Sequence, residues 1–187
     1  MKAILVFLYS FLMDGFPLLL MFAPFYLFLR ALFLLECTRD DAFYKVNPIR
    51  ESVMFAFFVF LVLLFAQTFV FNEGLNQIIL IPFSTITKQI RQMGHSLLLY
   101  RAFIFNTIGN IAIFAPIGIF SAYLFKTDFK HTTLLGFLIS LTIEGGQLPL
   151  DRTSDVDDLI LNTIGAIAGY GIYKLFKKLK NRWDIYA

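Results

Sequence analysis

A short polar stretch in an otherwise apolar chain holds the side chains best suited to chemistry. It spans residues 144–162 and reads EGGQLPLDRTSDVDDLILN, so carboxylates, an arginine and two carboxamides lie close together. Carboxylates serve proteins as general acids or bases and as ligands for hard cations. We therefore take this stretch, with the polar residues that helices bring near it, as the candidate functional site.

Helical spacing places these side chains on three predicted helices, since residues three and four apart share a helix face. All of the chosen residues are polar, and all are predicted to lie in or near the outer third of the membrane. The predicted pocket comprises Asn106, Asn110, Glu144, Gln147, Arg152, Asp155, Asp158 and Asn162.

Glu144 is the leading candidate for a functional residue. At a helical rise of ~1.5 Å per residue it lies roughly 8 Å inside the outer end of its helix. A carboxylate at that depth is costly unless it is protonated, paired or hydrated, so it is a functional hypothesis by default. Gln147 and Arg152 are its nearest candidate partners in the sequence.

Several neighbouring residues also have a purely structural interpretation. Ser154, with Asp157 three residues on, resembles a helix cap, and acids in a first helical turn contribute ~0.3–1 kcal/mol each. Gly165 and Gly169 have the spacing of a close helix-packing face. The asparagines would serve equally well as hydrogen-bonding links between helices. The sequence alone does not decide between the functional and the structural interpretation of these residues.

The chemistry that this stretch supports is limited in kind. Its acids suit Mg²⁺ or Ca²⁺, but it has no EF-hand spacing and neither His nor Cys, so we expect no metal site and keep a divalent cation as the less favoured alternative. His95 and His131 each lie alone, and no nucleophile has an evident base. We expect no cofactor, and whether the chain is an enzyme stays open.

Composition predicts an all-α, polytopic membrane protein. The 187 residues are 58 % hydrophobic and 16 % charged, whereas soluble domains are about a quarter charged. Charges are sparse over stretches of ~20 residues, the length that spans a bilayer core. The spacing predicts about five spans in one domain (1–187), near residues 16–36, 52–72, 102–125, 132–149 and 158–176. The basic residues are scattered along helix ends, which excludes a nucleic-acid surface, and the one cysteine excludes an internal disulfide.

Two shorter helices are predicted at the membrane surface. The sequence Asp14-Gly15-Phe16-Pro17 predicts a break, because Pro removes a helical donor and Gly is permissive. It leaves residues 1–15 as an interfacial or re-entrant helix. Apolar residues at helical spacing among polar ones predict an outer amphipathic helix over residues 84–99. Its apolar face comprises Ile86, Ile90, Met93 and Leu97.

The basic residues also predict an orientation. Most of the 16 lysines and arginines lie in loops and ends on one side of the predicted spans. The positive-inside rule places that side, with the C-terminus, in the cytoplasm. The N-terminus and the loops 73–101 and 149–157 are then extracytoplasmic.

The motifs between about residues 75 and 172, taken in order and spacing, resemble the VanZ-like family of bacterial membrane proteins. They are LIPFSTI at 80–86; Asn106 and Asn110 followed by Phe114, Pro116 and Gly118; Ile143, Glu144 and Gln147; Arg152 and Asp155–Asp158; and Asn162, Gly165, Ala166, Gly169 and Tyr170. The resemblance implies a multi-pass protein of the bacterial cell membrane, associated with low-level resistance to the glycopeptide teicoplanin. It implies no settled activity and no catalytic residue set. Residues 1–70 lie outside it.

Three functions are consistent with these observations. The favoured one is envelope resistance without turnover, in which the outward-facing pocket binds or shields a lipoglycopeptide or a lipid-linked wall precursor. The alternative is a membrane enzyme acting on a lipid-linked envelope substrate, with Glu144 as general acid or base. A transporter or flippase component is the third, although no internal repeat is present. The bilayer is the expected partner, and the sequence does not indicate an oligomeric state.

Overall fold

The computed structural model describes the backbone of residues 2–40, 44–66, 77–149 and 153–186, and the side chains there except those of 2–4, 6–8 and 182–186. The described chain forms six α-helices and two short strands in two compact units, residues 1–70 and residues 71–187. The first unit contains α1 (Lys2–Asp40) and α2 (Pro48–Ala66). The second contains β1 (Ile78–Ile79), α3 (Ser84–Met93), α4 (Leu97–Leu124), α5 (Phe129–Gln147), β2 (Ser154–Asp155) and α6 (Val156–Tyr186).

Within the described residues, four helices contain a segment long and apolar enough to cross a membrane. These segments are Tyr9–Asp40, Pro48–Ala66, Leu97–Leu124 and Val156–Asn181. The chain is therefore the all-α membrane bundle that its composition predicts. Helix α5 lies where the fourth span is predicted, but it carries Lys130, His131, Glu144 and Gln147 and is less apolar than these four.

The predicted break in the first helix is wrong. Helix α1 runs without interruption through Asp14-Gly15-Phe16-Pro17. Gly15 is buried, and a Cβ added to it would lie 2.4 Å from Leu63 Cδ2 and 3.4 Å from Ala66 Cβ. The glycine thus permits close contact with α2, and Pro17 is tolerated as prolines often are in membrane helices. Whether residues 1–15 lie at the membrane surface stays a prediction.

A bidentate ion pair joins the two helices of the first unit. Arg30 donates through Nε to Glu51 Oε2 and through Nη2 to Glu51 Oε1, each at 2.7 Å. The two parallel contacts fix one side chain against the other as well as neutralising both charges. Helix α2 begins at Pro48, and the side chain of the preceding Asn47 accepts a hydrogen bond from the Arg50 backbone N–H at 3.1 Å.

Helices α4 and α6 form the closely packed centre of the second unit. A Cβ added to Gly165 would lie 2.3 Å from the Ile111 carbonyl oxygen, and one added to Gly169 would lie 1.8 Å from that of Ala115. Gly118 on α4 meets the Ala166 carbonyl in the same way, at 1.9 Å. Only glycine leaves room for two backbones this close. The predicted packing role of Gly165 and Gly169 is confirmed.

The other helix ends differ from prediction by local capping. The predicted 84–99 helix is two helices, because α3 ends at Met93 and α4 begins at Leu97. Ser96 caps α4, and its Oγ accepts a hydrogen bond from the Leu99 backbone N–H at 3.2 Å. Leu97 therefore belongs to the long apolar helix and not to the amphipathic one. The last residues of the predicted second span, 67–72, lie outside the described residues.

A short parallel strand pair closes one end of the second unit. Ile78 pairs with Ser154 and Ile79 with Asp155, and the Ser154 backbone N–H donates to the Gln77 carbonyl at 3.0 Å. Sequence periodicity does not predict two-residue strands. We call this end, where α4 and α6 begin and where β1, β2 and α3 lie, the site end.

Candidate functional site

Asp157 attaches the amphipathic helix α3 to the bundle. Its carboxylate accepts hydrogen bonds from the backbone N–H of Phe83 and, at 3.0 Å, from that of Ile86. The first N–H groups of a helix have no partner within it, and Phe83 at the N-cap provides no side-chain acceptor. Asp157 is 1 % exposed, so these contacts are shielded from water. An acid from α6 thereby acts as the cap of α3.

Glu144 holds the strand β2 against α5. Its Oε2 accepts hydrogen bonds from the Asp155 backbone N–H at 3.1 Å and from Ser154 Oγ at 3.2 Å. The side chain is buried, at 7 % exposure. Two donors on one oxygen favour an acceptor role for this group. The predicted partner Arg152 lies outside the described residues.

Asp155 caps α6. Its Oδ1 accepts a hydrogen bond from the Asp157 backbone N–H at 2.9 Å, the contact of an N-cap residue with the second residue of the helix. The predicted cap at Ser154 is therefore wrong by one residue, because the Ser154 hydroxyl is used on Glu144 instead. Because Asp155 caps α6, the Asp157 side chain, which was predicted to share a cap with Ser154, bonds to α3 instead.

Two asparagines of α4 contact other elements, as their shared face predicts. Asn110 donates through Nδ2 to Asp158 Oδ1 at 2.6 Å, which links α4 to α6. Asn106, one turn nearer the site end, donates to Gln89 Oε1 of α3 at 3.5 Å. The first contact is short and has a carboxylate acceptor, so it is the stronger of the two.

Asn162 links α6 to α5 below these contacts. Its Nδ2 donates to Ser140 Oγ at 3.0 Å, and both residues are buried. Its Oδ1 has no hydrogen-bond partner within the described part of the chain. A buried acceptor without a partner costs about 1–3 kcal/mol, so we expect an ordered water beside it.

The polar helix faces thus meet in pairs at and just below the site end. Asn110 meets Asp158, Glu144 meets the start of β2, and Asn162 meets Ser140. Comparison with protein-family models gives a match over residues 52–177 to the VanZ/LLP1 family. The chain belongs to this family. No curated protein and no solved structure matched it.

The family match begins upstream of the motifs that the sequence resemblance used. It runs from residue 52 to residue 177 and so includes most of α2 and most of the second unit, whereas the resemblance covered about 75–172. All of the described contacts at the site end fall within it. The VanZ-like assignment is confirmed, while the role of each pocket residue stays a prediction.

Some predicted site residues do not join the contacts. Gln147 is half-buried and makes no hydrogen bond to another described residue, and Arg152 lies outside the described ranges. Within those ranges, no group of three or more His, Cys, Asp or Glu side chains is arranged to hold a metal ion. The acids accept hydrogen bonds from N–H and O–H donors instead.

Sequence reasoning missed Asp157 as a site residue. The sequence signal for this contact lies in α3, the helix that Asp157 caps. The segment before α3 ends in Pro82-Phe83 and has no Ser, Thr, Asn or Asp at the N-cap. A helix that starts so needs an acceptor from elsewhere. The nearby acids Asp155, Asp157 and Asp158 were the candidates, but choosing among them requires the fold.

Proposed function

We propose that this VanZ-like membrane protein contributes to envelope resistance against lipoglycopeptides such as teicoplanin, without catalytic turnover. Its site end binds or shields an amphiphilic ligand or a lipid-linked wall precursor. The observation that carries the proposal is the attachment of α3 by Asp157. An amphipathic helix fixed at the end of a membrane bundle is placed to meet an amphiphile that enters from the surface.

The orientation of the site end supports this function. Most lysines and arginines lie in the segments predicted to be cytoplasmic, together with the C-terminus. The site end then faces outward, with the N-terminus also outside, in the plasma membrane of a bacterium. A lipid-tailed glycopeptide reaches the membrane from that side.

The enzymatic alternative has weaker support. A general acid or base must reach the reacting group with a proton to give or take. Glu144 is buried, and one of its oxygens accepts hydrogen bonds from Ser154 and Asp155. A positioning role for Glu144 accounts for these contacts. No specific contact favours the transporter alternative.

The test uses Glu144→Gln and Glu144→Ala in a susceptible Gram-positive host. Asp128→Asn is the matched control, since Asp128 is an exposed acid at the other end of α5, where it accepts a hydrogen bond from the His131 backbone N–H at 2.9 Å. We expect both Glu144 variants to lower the teicoplanin resistance per molecule of protein in the membrane, and the control to retain it. Vancomycin susceptibility is measured in parallel.

The lipid-linked precursor profile separates the alternatives. We expect it to be unchanged in all three variants, because binding consumes nothing. Accumulation of one precursor in both Glu144 variants, at normal protein level, would contradict the proposal and favour the enzyme. Unchanged teicoplanin susceptibility on expression of the native protein would refute the resistance function itself.

A further inference from the structure

Helix α3 carries a polar groove whose polar side chains make no hydrogen bond to another described residue. Ser84, Thr87, Lys88 and Arg91 line it at offsets of three, four and seven residues, so they share one helix face. Pro82, Phe83 and Gln92 complete a cavity of about 440 Å³. Among the described residues, no carboxylate lines it.

The lining is chemically suited to an anion. Arg91 offers a planar fork of N–H donors and Lys88 a compact ammonium, the pair of groups with which proteins hold phosphate. Neither forms a salt bridge with a described carboxylate. The exposed Thr87 adds a hydroxyl donor to the lining, whereas the Oγ of Ser84 is enclosed and has no hydrogen-bond partner among the described residues.

The surroundings of the groove indicate that the anion carries a lipid tail. Leu80 and Ile81 precede the groove directly and Phe83 forms part of its wall, and these large apolar side chains are 75 %, 72 % and 57 % exposed. Cations beside exposed apolar residues are the pattern of a helix that lies at a membrane surface rich in anionic lipid. Asp157 holds this segment in place through the Phe83 backbone N–H.

We propose that the groove formed by Ser84, Thr87, Lys88 and Arg91 binds the phosphate of an anionic lipid, with the lipid tail against Leu80, Ile81 and Phe83. This ligand class goes beyond the resistance function and does not depend on it. Thr87 and Gln92 add neutral hydrogen-bonding groups around the phosphate.

The experiment measures lipid retained by the purified full-length protein. The protein is equilibrated in mixed micelles with phosphatidic acid and phosphatidylcholine, and bound lipid is counted by native mass spectrometry. The test variant is Lys88→Gln with Arg91→Gln. The control is Lys126→Gln with Lys130→Gln. It removes two exposed cations near the end of α4 and the start of α5, away from the site end.

We expect the native protein and the control to retain phosphatidic acid in preference to phosphatidylcholine. The Lys88/Arg91 variant should lose that preference by roughly tenfold, the effect expected from removing charge-assisted contacts. Lys88→Arg with Arg91→Lys keeps both charges and should retain most of it. Hydrogen exchange at the Ile86 amide, which Asp157 holds, reports whether α3 stays folded in each variant.

Three results would overturn the proposal. The first is that the Lys88/Arg91 variant keeps the native preference for phosphatidic acid. The second is that the Lys126/Lys130 control loses this preference as much as the Lys88/Arg91 variant does. The third is that millimolar inorganic phosphate alone displaces the lipid. The last would indicate a site for free anion. The binding assay uses no antibiotic, so a failure of the resistance function would leave its result standing, and a failure here would leave that function untouched.

Discussion

At the scale of single residues, the acids of the site end differ in role although they are adjacent in sequence. Asp155 caps its own helix, Asp157 caps another helix, and Asp158 accepts from an asparagine of a third. Each role follows from where the residue lies at the start of α6, with Asp155 just before the helix and Asp157 and Asp158 in its first turn. Glu144 adds the strand β2 to the same arrangement.

We predict that Asp157→Ala loosens α3 without unfolding the bundle. Loss of a helix cap costs about 0.5–2 kcal/mol, and this cap joins elements 71 residues apart. The Ile86 amide should exchange roughly 2- to 30-fold faster, the rate change that corresponds to such a loss. Hydrogen exchange followed by mass spectrometry measures it. Ser96→Ala, which removes the local cap of α4, is the control and should leave the α3 amides unaffected.

Sequence alone could place most of these residues but not connect them. Helical spacing put Glu144, Asp158 and Asn162 at one end of the bundle, because a helix face is periodic. It could not pair Asp157 with Ile86, since no local rule relates positions so far apart. The same limit applies to Asn110 and Asp158, which were predicted to lie near each other but not to bond.

At the scale of elements, the approach of α4 to α6 depends on glycine. We predict that Gly169→Ala destabilises the second unit by about 1–3 kcal/mol, the usual cost of overpacking. The added methyl group would meet the Ala115 carbonyl, a backbone atom that cannot turn aside. Gly171→Ala is the matched control on the same helix, where a Cβ has nothing within 4 Å. Denaturant titration in detergent compares the two, and equal midpoints would contradict the close packing.

Two helix starts carry local capping signals that the predicted boundaries did not use, and one continuous helix contradicts a local signal. Asn47-Pro48 and Ser96 carry standard signals, and α2 and α4 begin next to them. The Gly15-Pro17 segment carries the standard signal for a break, yet α1 continues through it. Gly15 is there because Leu63 of α2 packs against it, and the sequence of the first helix alone does not predict this contact.

At the scale of the whole molecule, the predicted membrane orientation is open to direct test. In a Cys37→Ser background, a cysteine at His95 should react with an impermeant maleimide applied to intact cells. A cysteine at Lys130 should react only after the cells are permeabilised. Both positions are exposed, so access and not burial decides the outcome. The reverse pattern would place the site end in the cytoplasm and remove it from the path of an extracellular glycopeptide.

The dependence of α3 on Asp157 also orders events in time. Ribosomes synthesise α3 about 70 residues before its cap, since Asp157 follows Ile86 by 71 positions. At roughly 5–20 residues per second the delay amounts to seconds. Through that interval the first turn of α3 has only water or lipid headgroups for its N–H groups, and β1 has no strand to pair with. The site end therefore cannot assemble before α6 begins, and a nascent chain stopped after α5 would carry α3, α4 and α5 without the site.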